Sequence, residues 1–302
     1  MTTAIPPALV GVLPRLRCPV CAGTLRLTAD QVRCEHGHAY DLARQGYLNL
    51  VTGRRHVTGD TAAMVLAREA FLAGTHYAPV ADALADAVAR TTATVGGLVA
   101  DLAGGTGYYL ARVLQELPGW DGACLDVSVP ALKRAARAHP RAAAIGADLL
   151  GPLPLRDAAA DVVLSTFGPR PAAEVERVLS RRGVFVVVAP TADHLRELVG
   201  PLGLVSVDEA KDERLAARLA GFERTAVEEV AYELRLAHAD LEALVGMGPS
   251  AFHVPAEERR RRVAALPDPA AVTVSVRVAT YRPRGAGTSG ATVLRPPADG
   301  EE

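Results

Sequence analysis

Two kinds of apolar pattern alternate along the chain. Thr61 to Ala73 and Pro79 to Arg90 carry apolar residues at intervals of three and four, the period of a helix with one buried face. Five short apolar runs follow: Leu98 to Leu102, Ala123 to Val127, Ala142 to Ala147, Val162 to Thr166 and Val184 to Ala189, each separated from the next by a helix-like stretch. Apolar runs of this length suit strands buried on both faces, and their alternation with helices predicts an α/β fold with a mostly parallel sheet between two helical layers. The rhythm then changes. Val227 to Ala237 and Ala271 to Tyr281 read as strands, the second alternating strictly at Val272, Val274, Val276 and Val278. Between them lie a helix from Ala239 to Val245, a loop from Met247 to Val254 and a charged helix carrying Arg259 to Arg262, whose simplest role is an exposed face. Near the start, Leu25 and Leu27 followed by the polar turn Thr28 to Gln31 predict a short hairpin. Asp41 to Val51 reads as a connector and Thr52 to Gly59 as a polar loop, while the Gly- and Pro-rich residues after Pro283 read as a disordered tail.

A length of 302 residues allows two folding units, or one large domain with an appendage. The net charge of −1 excludes a global basic field. Charge is nevertheless uneven. Up to Asp60, seven arginines (Arg15, Arg17, Arg26, Arg33, Arg44, Arg54, Arg55) face four acidic residues (Asp30, Glu35, Asp41, Asp60), so the N-terminal part is locally basic. No charged leader with an apolar core opens the chain and no apolar run reaches membrane-spanning length, so the expected compartment is the cytoplasm.

Three of the four cysteines lie within the first 34 residues. Cys18 and Cys21 are separated by two residues, Cys34 follows, and His38 stands three residues beyond it, the spacing of two knuckles closing on one tetrahedral zinc ion. A redox pair needs neither Cys34 nor His38. His36 competes with His38, but it lies too close to Cys34 for both side chains to chelate one ion easily. Cys124 lies in an apolar stretch and reads as core.

The first strand of the series runs into Asp101-Leu102-Ala103-Gly104-Gly105-Thr106-Gly107, and a helix starts at Tyr108. Glycines at such a turn let a ligand approach the backbone. The third glycine of a dinucleotide fingerprint would fall at Leu110, so the nicotinamide pattern is absent. With Asp101 opening it, the segment resembles the first motif of class I S-adenosylmethionine (SAM)-dependent methyltransferases, whose Rossmann-like sheet has seven strands and whose carboxylate at this position lies near the methionine amino group. Asp126, closing the second strand, is placed to accept from ribose hydroxyls, with Ser128 the better helix cap. Asp148, closing the third, falls in this class beside the adenine, although an acidic strand end is also ordinary loop polarity.

Further motifs extend across nearly the whole chain: Gly37-His38-Ala39-Tyr40-Asp41, Gly46-Tyr47-Leu48-Asn49-Leu50, Gly59-Asp60, Ala67-Arg68, His76-Tyr77, Leu125-Asp126-Val127-Ser128, His194-Leu195 and Met247-Gly248-Pro249-Ser250. Together with the zinc spacing they resemble the RlmA/TlrB group of 23S rRNA guanine-N1 methyltransferases, closest to its tylosin-resistance branch. The resemblance implies methyl transfer to N1 of a guanine in the helix 35 hairpin of 23S rRNA, cofactor contacts at Tyr77, Gly105, Thr106 and His194, and zinc on Cys18, Cys21, Cys34 and His38. Two departures stand out. Ala103 replaces the family's usual glycine, which a negative φ would accommodate, and Thr75 is an extra residue before His76-Tyr77.

The implied organisation is a zinc-binding RNA-recognition module over 1–58, a methyltransferase domain over 59–283 and a tail over 284–302. In this reading zinc holds Arg17, Arg26 and Arg33 in a shape that fits an RNA hairpin. Ser165-Thr166-Phe167-Gly168-Pro169 lacks the Asn/Asp-Pro-Pro-aromatic pattern of amino-methylating enzymes and any cysteine for C5-pyrimidine chemistry. Phe167 is a candidate platform for the target base, with core packing as its plainer role. No residue stands out as a general base, and the sequence is compatible with a homodimer without deciding it. Two other classes stay open: a small-molecule methyltransferase of antibiotic biosynthesis, and a non-catalytic zinc-bearing RNA-binding protein.

Overall fold

The computed structural model describes residues 5–28, 31–53, 59–92, 95–204, 219–248, 251 and 254–284. Helix α1 (Pro7–Val12), which no pattern announced, opens the chain with proline in its first turn and buries Ala8, Leu9 and Val12. Strands β1 (Leu25–Leu27), β2 (Gln31–Cys34) and β3 (Ala39–Asp41) form a small antiparallel sheet, so the predicted hairpin is present. Its tip, like Pro249 and Ser250 and nearly all of the tail, lies outside the described residues.

The remaining strands build one sheet. β4 (Leu48–Asn49) comes first, then helices α2 (Ala62–Ala73) and α3 (Ala78–Ala89). The βα series runs β5 (Leu98–Leu102), α4 (Tyr108–Glu116), β6 (Asp121–Asp126), α5 (Val129–Ala135), β7 (Ala142–Gly146), β8 (Ala160–Thr166), α6 (Ala172–Val178), β9 (Leu179–Pro190) and α7 (Arg196–Leu202). It closes with β10 (Phe222–Leu236), α8 (His238–Gly246), α9 (Ala256–Ala264) and β11 (Ala270–Pro283). Sheet order is β10-β11-β9-β8-β5-β6-β7-β4, with β4 to β9 parallel and the last two strands antiparallel. Without β4 this is the seven-stranded class I methyltransferase sheet, reached by the strand and helix alternation that the apolar runs had marked.

Two readings of the pattern are corrected. Asp41 to Val51 is more than a connector, because Leu48 and Asn49 add an eighth strand beside β7. The approach is close enough that a Cβ on Gly146 would meet the Asn49 amide oxygen, and a two-residue strand carries no period to detect. β10 also begins five residues before Val227, since Glu223 to Glu229 lie exposed on an edge strand and show no alternation.

Apolar side chains fill both faces of the sheet. One layer holds Phe71, Leu84, Leu110 and Leu132; the other holds Leu9, Leu16, Leu48, Leu125 and Phe185, and it includes Cys18 and Cys34. The zinc module therefore shares a core with the sheet. Leu16 bridges Leu155 in antiparallel fashion, the Arg17 N–H donates to the Pro154 carbonyl at 3.0 Å, and the Arg156 N–H donates to the Arg15 carbonyl at 2.9 Å. Arg17 itself is only 18% exposed at its side chain and pairs with Asp157 at 3.5 Å and Glu174 at 3.9 Å. These pairs tie the module to the sheet.

Candidate active site and metal centre

The ligand atoms of Cys18, Cys21, Cys34 and His38 all lie within 4.8 Å of one another. Cys21 Sγ is 3.3 Å from Cys34 Sγ and 3.5 Å from His38 Nδ1, and Cys18 Sγ is 3.6 Å from the same nitrogen. Zn–S and Zn–N bonds in a tetrahedron require edges of ~3.4–3.8 Å, so the donor set fits one zinc ion. His36 comes nearer than its spacing suggests, with Nδ1 at 3.4 Å from Cys21 Sγ and 3.9 Å from Cys34 Sγ. His38 reaches both Cys18 and Cys21 and completes the set. The Tyr40 hydroxyl lies 3.0 Å from Cys18 Sγ, and the His36 N–H donates to Cys34 Sγ at 3.4 Å, both of which stabilise thiolates.

The second site lies at the carboxyl ends of the parallel strands, where an open α/β sheet offers its crevice. Asp101 stands next to last in β5 at 1% exposure, and neither carboxylate oxygen has a hydrogen-bond partner. Burial, with the nearby Asp126 charge adding to it, pushes its pKa up to about 8. A buried acid without a partner fits a cationic ligand such as an amino group. The turn beyond it is open. Gly104 has no room for a side chain, since a Cβ would fall 2.6 Å from Cys124 Sγ and 2.7 Å from Asp101 Oδ2. Gly105 at φ +58° and Gly107 at φ +79° take left-handed conformations that bring the chain round into α4. Ala103 also lies at φ +56°, so the negative φ that would have eased its methyl group is not found.

Asp126, at the end of β6, accepts the Gly105 N–H at 2.9 Å and the Ser128 N–H at 2.8 Å, which ties the glycine turn to the neighbouring strand. Burial raises its pKa and these two donors oppose the rise. Ser128 caps α5 by accepting the Ala131 N–H, as the sequence indicated. Asp148 lies two residues past β7, and its carboxylate accepts the Leu150 N–H at 2.9 Å, an ordinary turn contact. Thr106 lines the cleft with Asp101, Gly104, Gly105, Tyr109, Thr166 and Phe167.

Opposite the turn stands a group of rings. Tyr77 caps α3 with its hydroxyl 3.2 Å from His194 Nε2, so the extra Thr75, absorbed at φ +60°, does not displace Tyr77 from the site. The Ser275 N–H donates to His194 Nδ1 at 3.2 Å, which puts the ring proton on Nε2 and makes it the donor to the Tyr77 oxygen. Burial lowers the His194 pKa to about 4, consistent with this neutral tautomer. Phe167 is 39% exposed and stacks on His194 at 5.9 Å, with Tyr77 at 6.1 Å and Tyr109 at 6.4 Å. Arg68, quoted in the sequence only as part of a motif, covers the turn: it bonds Asp60 at 2.7 Å and the Met247 carbonyl at 3.0 Å. Neither Tyr109 nor Thr166 gave any signal in the sequence.

Residues 16–53 match the zinc-ribbon family described as RlmA, N-terminal. A protein of Micromonospora griseorubida, provisionally named a 23S rRNA (guanine-N1)-methyltransferase, is 48% identical over 291 residues, spanning 90% of this chain and 98% of its own. A 23S rRNA (guanine(748)-N1)-methyltransferase of Streptomyces fradiae is 47% identical over 275 residues, with coverage of 90% and 98%. Among solved structures, a SAM-dependent methyltransferase from Thiobacillus denitrificans bound to S-adenosylhomocysteine superimposes with a TM-score of 0.46 at 16% identity, covering 66% of this chain and 90% of its own.

Proposed function

The chain belongs to the 23S rRNA (guanine-N1)-methyltransferase family, and from that premise we propose that it methylates N1 of a guanine in the helix 35 hairpin of 23S rRNA, a change that protects ribosomes from tylosin-type macrolides. The observation that carries this reading is the 47% identity to the Streptomyces fradiae enzyme over 90% of this chain and 98% of that enzyme. SAM is the cofactor, and when bound it supplies an electrophilic methyl group on its sulfonium.

Asp101 would hold the cofactor's amino group, Asp126 its ribose and Asp148 the adenine edge, while Gly105 and Thr106 would present backbone at close range. Tyr77 and His194 fix the methionine end. Because His194 donates to the Tyr77 oxygen, the tyrosine's own O–H would be left to donate to the ligand. Phe167 is the platform on which the extruded guanine would stack. Guanine N1 would give up its proton to water, and the residues of the cleft would contribute chiefly by positioning the base.

Zinc on Cys18, Cys21, Cys34 and His38 has four protein ligands and no open position, so it shapes the module instead of taking part in transfer. The module, residues 1–58, grips the hairpin through Arg26, Arg33 and their neighbours, and residues 59–283 carry out the reaction in the cytoplasm, where ribosomes are. A small-molecule methyltransferase has no use for a basic zinc module. Primer extension on 23S rRNA from cells with and without the gene tests the reading: a new stop at a helix 35 guanine is expected, and an unchanged pattern overturns it. Labelled SAM offered with 23S rRNA or with a macrolide separates the two substrate classes.

A further inference from the structure

Several arginines on the surface of this protein are engaged by carboxylates. Arg90 bonds Glu228, Arg112 bonds Asp82 and Glu116, Arg134 bonds Glu69, and Arg261 and Arg262 bond Glu258. Five others lie together at the foot of the sheet, the end opposite the glycine turn. Arg181 and Arg182 open β9, Arg224 stands near the start of β10, and Arg282 and Arg284 end β11. Strand register makes them neighbours. Tyr281 faces Phe185 on one side and Arg224 on the other, Arg282 donates to the Arg182 carbonyl at 2.9 Å, and the Arg284 N–H donates to the Gly221 carbonyl at 2.8 Å.

None of the five forms an ion pair with a described carboxylate. The acidic groups nearby are Glu223, which faces Arg282 across the strands, Glu176, beside Gly221, and Asp161, whose carboxylate is engaged by the Leu98 N–H. Arg224 and Arg284 also rim a cleft of about 280 Å³ floored by Val187, Ala189, Ala279 and Tyr281. In a chain of net charge −1, unpaired cations gathered on one end form a local positive field.

We infer that this foot is a second contact for the phosphate backbone of 23S rRNA, separate from the zinc module and from the site of transfer. The inference rests on the rRNA reading above. β8 spans seven residues from foot to cleft, ~20 Å at the rise of a strand, too far for the target nucleotide itself but within reach of flanking rRNA. Guanidinium groups held on strand ends suit phosphate oxygens, and each phosphate neutralised releases counterions and steepens the salt dependence of binding.

The test uses the full chain with Arg181, Arg182 and Arg224 all changed to Glu, and a companion with all three changed to Lys. Filter binding to 23S rRNA across a salt series, transfer of labelled methyl to the same RNA, affinity for S-adenosylhomocysteine and melting temperature are measured. The Glu variant is expected to bind the RNA at least ~10-fold more weakly at 0.1 M salt, with a shallower log K against log salt slope and a raised KM. The Lys variant stays close to wild type, and cofactor affinity and melting temperature do not move. Wild-type RNA affinity and slope in the Glu variant overturn the inference. So does a loss shared by the Lys variant, which would make the arginines structural, or a change confined to sedimentation, which would make the foot a contact between copies of the chain. If wild-type protein transfers no methyl group to 23S rRNA, it is the functional reading that fails.

Discussion

Asp101 gives the sharpest prediction, since its carboxyl is buried, unpartnered and shifted to about pH 8. At pH 7 such a group is ~90% protonated in the protein without cofactor. The amino group of a cofactor placed against it favours the carboxylate, so binding at pH 7 should expel ~0.9 proton per site. Calorimetric titration with S-adenosylhomocysteine in buffers of different ionisation enthalpy reads this number directly as the slope of observed heat against buffer heat. Affinity should rise nearly tenfold between pH 6 and 7 and level off above 8. Asp101→Asn, which has no proton to lose, should bind more weakly with a slope near zero. A zero slope in wild type, or the wild-type slope kept in Asp101→Asn, refutes the assignment. The same shift bears on stability. The native carboxyl keeps its proton to about pH 8 whereas the unfolded chain gives it up near 3.9, so the native state binds more protons in between. Stability of the cofactor-free protein should therefore be fully present below pH 4 and fall, by roughly 5 kcal/mol at most, as pH rises through 8, a decline that Asp101→Asn removes.

Ala103→Gly relieves a left-handed alanine at φ +56° and should stabilise the protein by about 0.5–1 kcal/mol, about 2 °C in a thermal melt; a lower melting temperature would show that the methyl group packs usefully. Gly104→Ala drives a Cβ to 2.6 Å from Cys124 Sγ and should cost about 1–3 kcal/mol along with cofactor affinity, part of it recovered in Gly104→Ala with Cys124→Ala; no recovery would locate the clash elsewhere. Metal analysis should find about one zinc per chain in wild type and His36→Ala and almost none in Cys21→Ser or His38→Ala, while zinc loss in His36→Ala would exchange the two histidines.

The sequence was most informative where a residue's type alone restricts its place. Continuous apolar runs marked β5 to β9 because a strand covered on both faces tolerates little else, and cysteine spacing brought out the metal centre because zinc geometry allows few arrangements. The strand-end positions of Asp101, Asp126 and the glycine turn were legible as well, and the structure brings them together at the carboxyl end of the sheet. What stayed hidden depends on distant partners. β4 is a strand only because β7 lies beside it, Tyr109 and Thr166 reach the cleft only through the turn of α4 and the end of β8, and the tautomer of His194 is set by a backbone N–H 81 residues away. Arg17 shows the reverse error. Counted as part of a basic module, it is bound by the two carboxylates at 3.5 and 3.9 Å that join the module to the sheet.

That junction alters how the two sites relate. A module on a flexible tether would sample many positions, and holding RNA there would do little to orient a base at the cleft. Here the chain on either side of Leu16 and Leu155 is stitched by backbone hydrogen bonds, Arg17 lies against Asp157 and Glu174, and Arg177 binds the same two acids at 2.7 and 2.6 Å. Cys18 and Cys34 are themselves part of the core that holds Leu125 and Phe185. Losing zinc should therefore expose apolar surface belonging to the sheet as well as to the module, and RNA seated on the module as proposed would stand at a fixed distance from Asp101. For a reaction whose rate depends mostly on aligning one nitrogen with one methyl group, rigidity of this kind is worth more than an added catalytic side chain.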